Sequence, residues 1–347
     1  MIIVKKWKLT LQVAATYIGT VVGAGFATGK EIVQFFTQYG SLGLIGILIS
    51  GLFFVWLGSK LMLIAQSIQA QSYQQLNNYL FGPAVGKFVN GFTIIILFGV
   101  TSVMLASTGA IGQEQLGMWP QLGMLITIVL AYIAISKGIE GILIVNSLVV
   151  PMMLSFSVII FIPYLEHFSF LQVSPTAMMN KEWNWLFSPF LYIAFNLAMA
   201  QAVLVPLGSE IEDRSVIKRG ALIGGLGLTF MMVAAHLALS NLPYTFQLDI
   251  PMSEVIKHVG IWVNWLFLIV IFGEIFTTLI GNVFGIARQI QSVIPISDNK
   301  AFALIMGLCF IVGQIGYGKL LEILYPVFGY IGLAFLVMLC LKKEKKE

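Results

Sequence analysis

The segment Gly19-Thr20-Val21-Val22-Gly23-Ala24-Gly25-Phe26-Ala27-Thr28-Gly29-Lys30-Glu31-Ile32 lies inside a long apolar run and places four glycines between positions 19 and 29. A glycine in a helix interior costs about 1 kcal/mol relative to alanine. The spacing Gly19-xxx-Gly23 and Gly25-xxx-Gly29 fits close helix packing, and it fits a break at Gly23 to Gly25 equally well. Lys30 and Glu31 favour the break, because charges inside a membrane span are costly and usually face an aqueous path. Unwound backbone is tolerated at that depth only where it lines a cavity. Its free carbonyls then suit a cation, and the amides that start the next half-helix suit an anion such as a carboxylate. Gly23, Ala24, Gly25 and Phe26 are therefore candidate substrate contacts.

Working outward, the surrounding chain can only live in lipid. Of 347 residues, 59% are hydrophobic and 10% charged, and the mean hydropathy is +0.94; a soluble domain carries about 25% charged residues. Cys309 and Cys340 sit in apolar runs, so neither a disulfide framework nor a CxxC metal site is available. The net charge of +4 comes from basic residues at the ends of apolar runs, which does not support nucleic-acid binding. A spanning helix needs about 20 apolar residues. Runs near 8–37, 41–66, 88–113, 118–136, 140–163, 185–209, 216–240, 258–288, 297–316 and 320–341 predict ten such helices, and the alternation of a barrel strand does not recur. Lys5, Lys6 and Lys8 before an apolar run also resemble the start of a secretory signal. That run continues to Phe35-Phe36, too long for a signal, and is read as a retained first span.

With the N-terminus in the cytoplasm, 15 of the 19 Lys and Arg residues fall inside and Lys30, Lys181, Lys257 and Lys319 outside, which puts both termini in the cytoplasm of a multi-pass cell-membrane protein. The outer loop 164–184, with Trp183 and Trp185 as interfacial anchors, divides the chain into residues 1–163 and 185–341, each with five helices; residues 342–347 form a basic cytoplasmic tail. Gly29-Lys30-Glu31-Ile32 in the first helix and Gly208-Ser209-Glu210-Ile211 in the sixth are offset by 179. Five helices per half make the two halves inverted, an arrangement of many secondary transporters.

The segment 19–32 resembles the first helix of LeuT-fold transporters of the amino acid–polyamine–organocation superfamily, and more narrowly the bacterial YkvI-like membrane proteins, over all ten spans. The resemblance implies an all-α membrane protein with a five-plus-five inverted repeat, alternating access, and breaks in helices 1 and 6. By the offset, the helix 6 break is expected within about Met199 to Pro206, where Pro206 lacks an N–H. Asn196 and Gln201 then lie beside the cavity, as substrate contacts or as polar glue between helices. Glu210 falls at the inner end and is read with Lys30 and Glu31 as gating, although with Glu212, Asp213 and Arg214 it also reads as a solvated loop.

In helix 8, Glu274, Thr277, Thr278, Gly281, Asn282 and Gly285 share one helical face. Threonine hydroxyls are hard oxygen ligands, and LeuT-fold sodium symporters pair two such hydroxyls with first-helix carbonyls. Carried over residue by residue, the match is the carbonyls of Gly19 and Val22 with Thr277 and Thr278. Glu274 departs from the family, which has a small side chain there; its carboxylate strengthens a cation site or carries a proton itself. Helix 5 has no lysine to stand in for the cation. His236 reads as a satisfied core residue, Thr101, Ser102 and Thr108 either as cavity lining or as bonded to their own backbone, and Gln66 to Asn78 as a connector.

These readings converge on a secondary transporter of a small polar solute, an amino acid or related molecule, coupled to Na⁺ or H⁺, with the lipid bilayer and the solute as its partners. The alternative is a membrane nutrient sensor that keeps the ligand site without net transport. No cofactor beyond the coupling ion is expected. The Asp-Pro-Gly-Asn and Met-Pro-His motifs of transition-metal carriers are absent, as are a P-loop and a catalytic cluster.

Overall fold

The computed structural model describes residues 2–136, 138–165, 184–247, 251–257, 261–291 and 293–343. The loop read at 164–184 falls outside them except at its edges, as does the tail from residue 344. Among the described residues, each apolar run read from the sequence is mostly helical. The first comprises α1 (Ile2–Val21), α2 (Ala24–Ala27) and α3 (Lys30–Phe35). Then follow α4 (Ser41–Ile68), a short α5 (Tyr73–Phe81), α6 (Pro83–Leu116), α7 (Pro120–Ile135) and α8 (Gly138–Leu165). The second half holds α9 (Asn184–Glu210), α10 (Arg214–Ser240), α11 (Pro251–Lys257), α12 (Ile261–Gln291), α13 (Asp298–Gly313) and α14 (Tyr317–Leu341). Six of these, α4, α6, α8, α9, α10 and α12, are long and apolar enough by themselves to cross a membrane.

Many large apolar side chains lie on the outer surface. Leu52, Phe88, Leu148, Ile162 and Trp262 project fully outward, which water would not tolerate on this scale and lipid does. Burial sorts the helices: 89% of the apolar window of α9 is enclosed, against 33% for α8, so α9 is central and α8 peripheral. Around α9 pack α4, α14, α12 and α1, while α6 and α8 close on α12 from the other side. Small residues allow the nearest approaches: a side chain at Gly281 would meet Val203, and one at Gly285 would meet Ala202, so α12 lies almost backbone to backbone on α9.

The expected break in helix 6 is corrected: α9 is continuous from Asn184 to Glu210, with Pro189 and Pro206 inside it. No glycine occurs between residues 184 and 207, and the run Ala198-Met199-Ala200-Gln201-Ala202 consists of strong helix formers. Pro206 withholds one N–H from the ladder without ending it. Gln201 Nε2 donates to the Ala198 carbonyl at 2.8 Å, adding a side-chain bond within that turn.

On the N-terminal face, Lys6 of α1 pairs with Asp213 at 2.7 Å, and Asp213 also caps α10 by accepting from the Ser215 N–H at 2.9 Å. Gln66, read as part of a bland connector, instead holds this corner: its Nε2 donates to the carbonyls of Ile211 at 2.6 Å and Glu212 at 2.8 Å.

Candidate functional site

The first helix is interrupted at Val22 and Gly23. Helical bonding resumes only at Ala27 N–H to Gly23 O, 2.9 Å, so carbonyls in the last turn of α1 lack helical donors. Two hydroxyls from α12 reach them. Thr277 Oγ1 lies 2.8 Å from the Gly19 carbonyl and 2.9 Å from that of Glu274. Thr278 Oγ1 contacts the Val22 carbonyl and lies 3.5 Å from that of Gly19. Five oxygens therefore converge, three carbonyls and two hydroxyls, all on buried residues. Carbonyls only accept and each hydroxyl carries one proton, so the cluster has more lone pairs than protons to fill them. An arrangement of that kind has the donor chemistry to hold a hard cation. The residues expected here from sequence, Gly19, Val22, Glu274, Thr277 and Thr278, are all brought together.

Beyond the break the chain turns at Thr28–Gly29, where Gly29 has φ +82° and Thr28 Oγ1 donates to the Gly25 carbonyl at 3.1 Å. The Met252 N–H at the start of α11 caps the Thr28 carbonyl at 3.0 Å. This turn folds α3 so that Glu31, 4% exposed, lies over Gly25; a side chain at Gly25 would run into the Glu31 carboxyl. Next to it, Phe26 and Glu274 line a cavity with Phe156, Met231 and Phe267, whose free volume of about 30 Å³ holds a water or two. Tyr192 is buried, and its ring packs on Phe35 and Phe36. A group of three His, Cys, Asp or Glu able to hold a transition metal does not occur among the described residues.

No protein-family profile matches the sequence. The membrane protein YkvI of Bacillus subtilis (strain 168) is 48% identical over 338 residues, covering 97% of this chain and 96% of the relative. The chain belongs to the YkvI family. Among solved structures, a Na⁺-coupled sialic acid symporter in a substrate-bound outward-open state matches with a TM-score of 0.70 at 12% identity, covering 95% of this chain and 78% of the symporter. MhsT in complex with L-phenylalanine matches with a TM-score of 0.70 at 16% identity, covering 94% and 88%. The YkvI-family chain thus has the fold of these two transporters.

Other expected site residues of this YkvI-family protein are placed differently. Asn196 is 1% exposed and donates to the Tyr192 carbonyl at 2.8 Å, on the α9 face that carries Tyr192. Gln201 bonds its own helix, and its Oε1 meets no donor. Gly23 is closed in by Thr278 and Met104. Lys30 is partly exposed and Glu210 exposed at the end of α9, where Arg288 and Glu140 act on it. Sequence reading missed Tyr192, whose ring packs on Phe35 and Phe36 at the end of α3, and it missed Asn146, whose buried amide has no hydrogen-bond partner.

Proposed function

We propose that this YkvI-family protein is a secondary transporter that couples a small polar solute, an amino acid or related molecule, to a monovalent cation. The five-oxygen cluster carries the proposal. A cation there would tie the end of α1 to α12 and fix the geometry of the break, so that the solute meets a formed site on Gly23 to Phe26, next to Glu31, Tyr192 and Asn196. Release of the cation would loosen α1 from α12 and let the N-terminal face open. In this reading residues 1–163 and 185–341 are inverted halves, ten helices cross the membrane, and both termini are cytoplasmic. Na⁺ is favoured because carbonyls and neutral hydroxyls offer no proton-accepting base. H⁺ is the second reading, favoured by the Glu274 side chain, which lines the cavity instead of joining the five oxygens through its carboxylate.

The test is a thermal-shift screen of the purified protein against amino acids and related solutes, with Na⁺ or K⁺ as the only cation. A ligand that binds the folded state raises its stability by mass action. A shift that requires Na⁺ is expected. Identical melting in Na⁺ and K⁺, with and without every solute and at every pH, would sink the proposal.

A further inference from the structure

A second cavity, with a free volume of about 130 Å³, lies away from the five oxygens, where the C-terminal ends of α7 and α12 meet the start of α13. It is on the N-terminal face: Arg288 in its wall acts on Glu210 at the end of α9, next to the corner where Asp213 pairs with Lys6. Val283, Phe284 and Phe302 are buried and form its apolar floor, whereas Arg288, Asp298 and Asn299 are exposed and form its rim. The walls are tied together. Tyr132 Oη donates to Asn299 Oδ1 at 3.3 Å, and the Tyr132 ring packs on Phe302 with centroids 5.4 Å apart, which joins α7 to α13. Gln291 Nε2 donates to Asp298 Oδ1, which joins the end of α12 to the start of α13. The Arg288 guanidinium lies 5.0 Å from the centre of the Phe284 ring, so its charge is held over the floor.

Two opposite charges share this rim, and among the described residues neither Arg288 nor Asp298 is in an ion pair. On either side the helices turn apolar residues outward, Val129 and Ile133 on α7 and Leu304 and Leu308 on α13; in a membrane protein such faces meet acyl chains. The cavity is thus apolar within, charged at its mouth and flanked by lipid. We infer that it binds a phospholipid of the leaflet on the N-terminal face, one with a zwitterionic ethanolamine headgroup. Arg288 holds the phosphate, since a guanidinium offers paired N–H donors to an oxyanion. The ammonium goes to Asp298, whose Oδ2 is left over once Gln291 has taken Oδ1, and the first part of an acyl chain covers Val283, Phe284 and Phe302. A purely anionic headgroup would satisfy Arg288 but leave the Asp298 carboxylate facing negative charge or neutral hydroxyls, which is why the ethanolamine lipid is favoured. A lipid seated here braces α12, the helix that carries Thr277 and Thr278, against α7 and α13. The inference stands apart from the cation-coupled reading above.

The experiment is native mass spectrometry of the delipidated full-length protein, titrated with dioleoyl phosphatidylethanolamine, dioleoyl phosphatidylglycerol or water-soluble phosphoethanolamine. Wild type is expected to bind the ethanolamine lipid about tenfold more tightly than the glycerol lipid. Arg288→Gln should weaken both lipids by about tenfold. Asp298→Asn should weaken the ethanolamine lipid alone, bringing it to the level of the glycerol lipid. Both side chains are exposed, and asparagine keeps an oxygen for the Gln291 donor, so the variants should fold, as their melting temperatures will show. The inference is overturned if wild type does not distinguish the two lipids, or if ethanolamine-lipid binding ignores both substitutions. It is overturned equally if phosphoethanolamine, which has no chains, binds as tightly as the lipid, since the cavity would then serve a soluble zwitterion.

Discussion

Replacing Thr277 and Thr278 together by valine separates the chemistry of the five-oxygen cluster from its packing. Valine keeps the branched shape and removes the hydroxyl, so no cavity of consequence opens and only the oxygen contacts are lost. In K⁺, the carbonyls of Gly19 and Val22 lose the threonine hydroxyls that donate to them. Each buried carbonyl left without a partner costs about 1–3 kcal/mol, so the variant should melt well below wild type even without Na⁺. The second effect concerns the ion. At about a hundred times its dissociation constant Na⁺ stabilises wild type by about 2.7 kcal/mol, and a tenfold loss of affinity leaves about 1.4 kcal/mol at the same concentration. The readout is the difference between the melts in Na⁺ and K⁺, taken for both proteins. That increment should shrink by half or more, whatever the absolute loss in K⁺. A variant that is destabilised in K⁺ but keeps the full Na⁺ increment would refute the reasoning, since the hydroxyls would then be packing bonds and not ligands.

Three further outcomes follow from the same geometry. Gly25→Leu drives a side chain into the Glu31 carboxyl; overpacking of this kind costs about 1–3 kcal/mol, and solute-dependent thermal shifts should vanish while the Na⁺ increment survives. Glu274→Gln should abolish any dependence of Na⁺ or solute binding on pH, and a pH profile that persists in this variant assigns the proton elsewhere. Lys6→Gln should leave the melting temperature nearly unchanged yet speed amide exchange along Leu9 to Thr16, measured by mass spectrometry. The Lys6 ammonium and the Ser215 N–H hold the Asp213 carboxyl below its ordinary pKa. A depressed carboxyl keeps its contribution above the unfolded value of about 3.9 and loses it only as pH falls through the lower folded value. Exchange protection in wild type should therefore be constant from neutral pH down to about pH 4.

Much of this was legible in the residues because lipid restricts what they can do. Apolar run length located the long helices, six of which are long and apolar enough by themselves to span, but not the short α5 and α11. Glycine marked the interruption at Val22–Gly23, and one helical face carried Glu274, Thr277 and Thr278 to the same place. The expectation for helix 6 failed for a local reason: matching letters at Gly29 and Gly208 aligned the two halves, but the glycines that allow unwinding in one are alanines and leucines in the other. Glu31 over Gly25 was not legible, because it depends on the left-handed turn at Gly29. Asn146 was not legible either. A single asparagine in an apolar helix looks like interhelical glue, and only the packing of α8 on Gly19 shows that it bonds to nothing.

The seam between α9 and α12 bears on how such a molecule can change shape. With Gly281 against the Val203 side chain and Gly285 against Ala202, only small groups separate the two helices at these positions. Sliding one past the other would lift a whole ridge out of its groove, so the pair is better pictured as a keel, fixed in cross-section and stiff along its length. Relative motion must then be taken up at joints elsewhere, and the two-residue gap at Val22–Gly23 is placed to serve as one. The keel would stay still while α1 pivots beside it.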